Sequence, residues 1–152
     1  RNNPMAQGSV FFSSKSVTNN MAGIKDSLRN DFYRYPALQP QMLWLDVVFP
    51  NPPYELTAKS VNRGVALSWR EGTVSEDGEK AYGYVIYRFA KGSTINIGNP
   101  ANIVKISFNA SEKSFTDTSV SANNTYVYVV TTIDRLKNES AVSNVAEVRV
   151  LQ

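Results

Sequence analysis

The chain of 152 residues predicts a mainly β fold: an antiparallel two-sheet sandwich preceded by a short strand and helix. Three observations carry this expectation. After Pro53, runs of strand length either alternate apolar with polar residues or are rich in β-branched and aromatic ones. Turn-forming residues recur between those runs. Ahead of a proline cluster, by contrast, one stretch has apolar residues at helical spacing.

The elements follow in chain order. Gly8-Ser9-Val10-Phe11-Phe12-Ser13-Ser14 is a compact apolar run bounded by Gly and Ser and reads as a buried strand. Met21, Ile24 and Leu28 then recur at helical spacing, with Phe32 continuing the stripe. Lys25, Asp26, Arg29 and Asn30 take the polar side, and Thr18, Asn19 or Asn20 is placed to cap the start. One strand and one helix cannot bury their own apolar faces, so both are expected to belong to a larger α/β body. Phe49-Pro50-Asn51-Pro52-Pro53 denies backbone donors and favours extended conformations, giving a short stiff connector. The predicted organisation is therefore 1–49 terminal strand-helix segment, 50–53 connector and 54–152 sandwich.

Within the sandwich, Gly64-Val65-Ala66-Leu67-Ser68-Trp69 alternates, which puts Val65, Leu67 and Trp69 on one face. Trp69 is assigned to the core. Tyr82–Arg88 and Thr125–Ile133 are β-branched and aromatic strands, and the turn-rich Ser121-Ala122-Asn123-Asn124 precedes the second of them. Tyr126, opening that strand, is expected to form a tyrosine corner with its hydroxyl bonded to backbone a few residues upstream. If Tyr84, Ile86, Tyr126, Tyr128 and Val130 face the core, then Val85, Tyr87, Phe89, Val127, Val129 and Ile133 face outward. A half-exposed strand should be polar there. These six form an apolar patch that predicts an interface, expected to be with the front segment or with a larger neighbouring domain.

Composition narrows the chemistry. The chain has no Cys and no His. That excludes disulfides, thiol nucleophiles, Ser-His-Asp triads and the usual zinc sites, leaving carboxylates, Tyr, Lys and Ser. A formal charge of +3 without an arginine-rich strip argues against nucleic acid as a partner. No apolar run approaches the roughly 18 residues of a membrane span, and no signal peptide opens the chain. Because the chain begins with Arg, it reads as a fragment of something longer. No cofactor or metal is expected. Glu71, Glu76, Asp77 and Glu79 surround Gly72 and Gly78 but lack the spacing of a calcium loop, so they read as a solvated connection. Asn109, Asn123 and Asn138 each open a glycosylation sequon, and each is assigned to a turn.

Two family resemblances emerge from these residues. Pro53-Tyr54-Glu55-Leu56-Thr57-Ala58, Leu67-Ser68-Trp69, Gly83–Arg88, Ser114-Phe115-Thr116-Asp117-Thr118, the Val120-to-Tyr126 spacing and Ser140-Ala141-Val142-Ser143-Asn144 together resemble an immunoglobulin-like domain of the fibronectin type III kind. Val10–Lys15, Gly23–Asp31, Tyr35–Pro40 and Trp44-Leu45-Asp46 resemble the end of the catalytic domain in glycoside-hydrolase-like family 10 proteins. The second resemblance implies a (β/α)₈ barrel of which this chain holds only the eighth strand and its helix. The first seven strands, where most catalytic groups should lie, are absent. Ser13, Ser14 and Lys15 would sit at the C-terminal end of that strand, where barrel sites form and where hydroxyls and a Lys can bind a sugar or balance a carboxylate. Alternatively they merely leave the strand. Asp26 and Asp31 would lie on the outer ring and Asp46 at the domain's exit, so no catalytic residue is assigned. Tyr33, Tyr35 and Trp44, interleaved with Pro36 and Pro40, read as a strap packing along a domain surface.

The resemblance thus implies a C-terminal accessory or structural region of a glycoside hydrolase acting on a polysaccharide, located in the cell envelope or secreted. Its expected partner is the catalytic barrel of the same full-length chain. The alternative is a non-catalytic module that binds a glycan or a protein, and a third reading is a pure spacer. If docking within one chain leaves apolar surface open, the fragment should self-associate through the Val10-Phe11-Phe12 strand.

Overall fold

A computed structural model describes residues 13–151. The chain divides into two compact units, one ending at Tyr35 and one beginning at Pro36. The Val10-Phe11-Phe12 strand expected from the sequence lies outside the described residues.

The described part of the first unit is a chain of short helical turns. Helix α1 spans Ser14–Thr18, a 3₁₀ turn Met21–Gly23, helix α2 Ile24–Ser27 and a π turn Leu28–Phe32. Ser13 has φ +73°, and Ser14 and Lys15 are helical, so these two residues start a helix rather than end a strand. The expected amphipathic helix is present from Ile24 but does not reach back to Met21, because Ala22 and Gly23 both take left-handed φ values. Asn20 supplies the start signal. Its side-chain oxygen accepts from the amides of Lys25 (2.9 Å) and Asp26 (3.3 Å), and its amide nitrogen donates to Asp26 Oδ2 (2.7 Å). Ile24 and Leu28 are half-buried, whereas Met21 and Phe32 are exposed.

The second unit is the sandwich. Strands β1 (Tyr54–Val61), β2 (Gly64–Arg70) and β5 (Ser114–Asp117) form a three-stranded antiparallel sheet in the order β1-β2-β5. Strands β3 (Gly83–Ala90), β4 (Ile103–Ser107), β6 (Thr125–Ile133) and β7 (Ala146–Arg149) form a four-stranded one in the order β4-β3-β6-β7. This is the sandwich the sequence predicted. Side-chain alternation on the pleat sends Tyr84, Ile86, Tyr128 and Val130 inward to meet Leu56, Val65, Leu67 and Trp69 of the smaller sheet. Trp69 lies edge-on to Tyr84 with ring centroids 5.4 Å apart. The Tyr126 hydroxyl accepts from the Ser121 amide at 3.2 Å, five residues upstream, which makes the tyrosine corner.

Side chains complete the pairing where strands stop. Ser140 and Ser143 each bond β6 twice: their amides donate to the carbonyls of Thr132 and Val130, both at 2.9 Å. Their hydroxyls accept from the Thr132 and Val130 amides at 2.9 and 3.0 Å. Asn144 clamps β1 in the same way, accepting from the Leu56 amide (2.8 Å) and donating to its carbonyl (3.0 Å). The Ser-Ala-Val-Ser-Asn run thus stands in for a strand, with hydroxyls and an amide replacing backbone partners. The proline connector is fastened too. Asn51 donates to Thr73 and Val74, and a Cβ at Gly72 would meet the Pro52 carbonyl oxygen at 2.5 Å, so only glycine permits this approach.

Candidate functional site

The larger sheet has a second buried face. Val85, Tyr87, Phe89, Val129 and Ile133, all on the side facing away from β1-β2-β5, are at most 3% exposed, and Val127 is half-buried beside them. The patch singled out in the sequence is therefore interior. Ile103 and Ile106 of β4, paired with Tyr87 and Val85, extend the same face, and its cover is Ile97 from the β3–β4 connection, Val142 from the serine-rich loop and Leu38 from the segment 36–49. That segment, a strap without regular strands, belongs to the same compact unit as the sandwich. Five buried side chains contribute roughly 1.5–3 kcal/mol each relative to leaving them in water.

Where the strap crosses, a cleft of about 380 Å³ remains between residues 37–41, Tyr87, Ile97, Pro100, Ile103, Lys137 and Glu139. Its polar floor is one carboxylate. Glu139 Oε1 accepts from the Tyr87 hydroxyl and the Thr131 hydroxyl, both at 2.6 Å. Burial pushes the Tyr87 hydroxyl well above its ordinary pKa, and the Glu139 charge adds to this. With a single carboxylate held by two donors, the cleft lacks the paired acids of glycoside hydrolysis.

A second polar centre lies in the corner below β5. Asp117, 1% exposed, accepts from Arg88 Nη1 (2.7 Å), the Tyr128 hydroxyl (2.9 Å), and the Ser119 amide and hydroxyl (2.9 and 2.7 Å). Burial alone would raise its pKa, but the Ser119 and Tyr128 hydrogen bonds and the Arg88 charge hold it below the ordinary carboxylate value. This is a structural lock rather than a site.

The third centre gathers carboxylates from three separate segments. Oxygens of Asp46 on the strap, Glu79 in the β2–β3 connection and Asp134 just after β6 lie within 4.8 Å of one another. Each is locally fixed. Asp46 Oδ1 accepts from the Val48 amide at 2.8 Å, Asp134 Oδ1 from the Asn138 amide at 2.8 Å, and Glu79 Oε1 from Arg135 at 2.8 and 3.3 Å. The Asn138 side-chain amide donates to the Asp46 carbonyl at 3.3 Å. Hydrogen bonding to Glu79 raises the Arg135 pKa, and the Glu79, Asp134 and Asp46 charges add to the shift. Sequence reasoning placed Glu79 with Glu71, Glu76 and Asp77 instead. Of these, Asp77 binds the Ser75 hydroxyl and the Glu79 amide at 2.5 and 3.0 Å, and Glu71 pairs with Lys113 at 2.8 Å.

The other candidate residues read from the sequence are scattered. Ser13, Ser14, Lys15, Asp26 and Asp31 lie in the first unit, and among the described residues none of them belongs to a cluster of three or more carboxylates. Tyr33, Tyr35 and Trp44 are exposed, Trp44 at 78%. From the same stretch, it is Leu38 that packs on the outer face.

The chain is 34% identical over 139 residues to the glycosyl hydrolase YngK of Bacillus subtilis, across 91% of this chain and 26% of that protein. It is 40% identical over 98 residues to an amylopullulanase of Thermoanaerobacter thermohydrosulfuricus, across 64% of this chain and 6% of that one. The chain therefore spans about a quarter or less of the curated relatives it matches. Among solved structures, an Fn3-like protein from Clostridium thermocellum superposes with a TM-score of 0.50 at 24% identity, covering 68% of this chain and 95% of that one. No family model matches the chain. The fold is a fibronectin type III-like sandwich, and the chain is homologous to small regions of glycosyl hydrolases and amylopullulanases.

Proposed function

We propose that this chain is the non-catalytic C-terminal accessory region of a glycoside hydrolase acting on a polysaccharide, its sandwich docked on the catalytic domain. The observation that carries this reading is the alignment with YngK, which runs through both units and the boundary between them. A sandwich borrowed as a free module would match from β1 onward only. The finer family reading, a glycoside-hydrolase-like family 10 barrel whose last strand and helix open this chain, rests on the residues from Val10 to Asp46. Secretion or attachment to the cell envelope follows from the same reading. Among the described residues no helix is long and apolar enough to cross a membrane.

The docking surface is the outer side of the strap. Met42, Leu43, Trp44, Leu45, Val47 and Phe49 are all exposed, while Leu38 earlier in the same strap packs on the sheet. Six consecutive or near-consecutive apolar side chains in water mark a surface that is covered in the intact protein. The catalytic domain, which makes up the rest of a protein of this kind, is its occupant.

The test is reducing-sugar release by this chain across common polysaccharides, beside the full-length parent. The expected result is no release by the chain and release by the parent. Turnover by the chain that disappears on mutating Asp26, Asp31 or Asp46 would overturn the reading. Glycan binding that is lost with Trp44→Ala, in a parent whose activity is unchanged, would replace docking by a glycan-binding face.

A further inference from the structure

We propose that Asp46, Glu79, Asp134 and Asn138 form a calcium site that fastens the strap to the sandwich. Such a site would exist whatever the catalytic identity of a parent protein. Three carboxylates converge to within 4.8 Å, and among the described residues the cation bonded to them is Arg135, which lies mostly in solvent and hydrogen-bonds Glu79. Acidic clusters alone are common on protein surfaces. This one differs because Asp134, one of its three carboxylates, is buried with an unmatched oxygen, and the neighbouring Asn138, whose amide nitrogen reaches the Asp46 carbonyl, carries another. Asp134 is 2% exposed and its Oδ2 has no hydrogen-bond partner, while Asn138 is fully buried and its side-chain carbonyl oxygen also has none. A buried carboxylate oxygen without a donor is strongly unfavourable, and a cation bound between the three segments removes that cost.

The donor set selects the ion. Every available atom is a hard oxygen, from carboxylates and one amide, and the chain has no His or Cys to attract a softer metal. Calcium binds oxygen at roughly 2.4 Å and accepts six to eight ligands in irregular geometry, with water completing the shell. Oxygens on opposite sides of such an ion lie about 4.8 Å apart, a span this cluster fits. Magnesium demands a tighter octahedron and fits donors held by three independent loops less well. Two of the three segments are already shaped for the task. Asp46 turns the strap by accepting from Val48, and Asp134 closes its hairpin by accepting from Asn138, so each leaves its second oxygen for the ion.

The experiment is calorimetric titration of the metal-stripped 152-residue chain with calcium chloride, with magnesium chloride in parallel, and thermal melts in EDTA and in millimolar calcium. Calcium should bind with one site per chain and raise Tm by several degrees, with magnesium at least tenfold weaker. Asp134→Asn and Glu79→Gln should each weaken calcium binding at least tenfold. Glu79 is half-exposed, so Glu79→Gln keeps the test valid should Asp134→Asn unfold the chain, and circular dichroism reports which has happened. Glu76→Gln, a neighbouring exposed carboxylate outside the cluster, should bind like the unaltered chain. No calcium-dependent heat or Tm shift, an equal response to magnesium, or full affinity in folded Glu79→Gln would each overturn the site.

Discussion

The two faces of the β4-β3-β6-β7 sheet are equally dry but are covered by different means. The inner face meets another sheet, whose Val65, Leu67 and Trp69 recur with the period of the pleat. The outer face meets irregular chain: Leu38 from the strap, Ile97 from a connection and Val142 from the serine-rich loop. A sheet can therefore be buried on both sides without a third layer of regular structure, provided the covering loops are individually fastened. Here the fasteners are Ser140, Ser143 and Asn144 on one side and the Asp46–Asn138 contact on the strap, with Asn51 tying down the connector that follows it.

If the outer face is as well packed as the inner one, truncation should cost the same on both. Trp69→Ala on the inner face and Tyr87→Ala on the outer should each lose about 3–5 kcal/mol in denaturant unfolding, the range for a buried large aromatic. A near-neutral Tyr87→Ala would show that the outer cover is loose in solution.

Asp117 sharpens the inner side. Its carboxyl is held below the ordinary value in the folded state, so its contribution is fully present above the unfolded pKa near 4 and is lost as pH falls through the lower folded value. Asp117→Asn should cost about 2–3 kcal/mol at neutral pH, as expected for lost charged hydrogen bonds, and should flatten the acid limb of the stability profile. An unchanged acid limb would remove Asp117 from that role.

Smaller effects probe the edges of each face. Leu38→Ala, at a half-buried contact, should cost about 1–2 kcal/mol, less than a fully buried leucine. Tyr126→Phe deletes one accepted backbone hydrogen bond and should cost about 0.5–1.5 kcal/mol. Thermal and denaturant melts measure both, and a Leu38→Ala variant as stable as the unaltered chain would remove the strap from the core.

The inner face was readable because strand alternation writes it into neighbouring residues: Val65, Leu67 and Trp69 announce their side, and Tyr126 announces the corner. The outer set was readable as apolar and in need of a cover. What covers it was not, because Leu38, Ile97 and Val142 have no shared period and reach the sheet from three places in the chain. The carboxylate cluster was hidden for the same reason. Sequence proximity grouped Glu79 with Glu76 and Asp77, whereas the fold groups it with Asp46 and Asp134. In the first unit, helical spacing located Ile24 and Leu28 correctly, but the left-handed Ala22 and Gly23 make the helix start one turn later than the Met21 stripe suggested.

The central claim is that residues 36–49 are part of the sandwich and seal its outer face. Chains starting at Pro36 and at Pro50, both keeping the Asn51 contacts, measure this directly by denaturant unfolding and by binding of a dye that reports exposed apolar surface. The Pro36 chain should unfold like the full one without binding dye, and the Pro50 chain should lose at least about 2 kcal/mol, in line with uncovering buried apolar area, and should bind dye. Equal stability of the two chains, with no dye bound by either, would contradict the account.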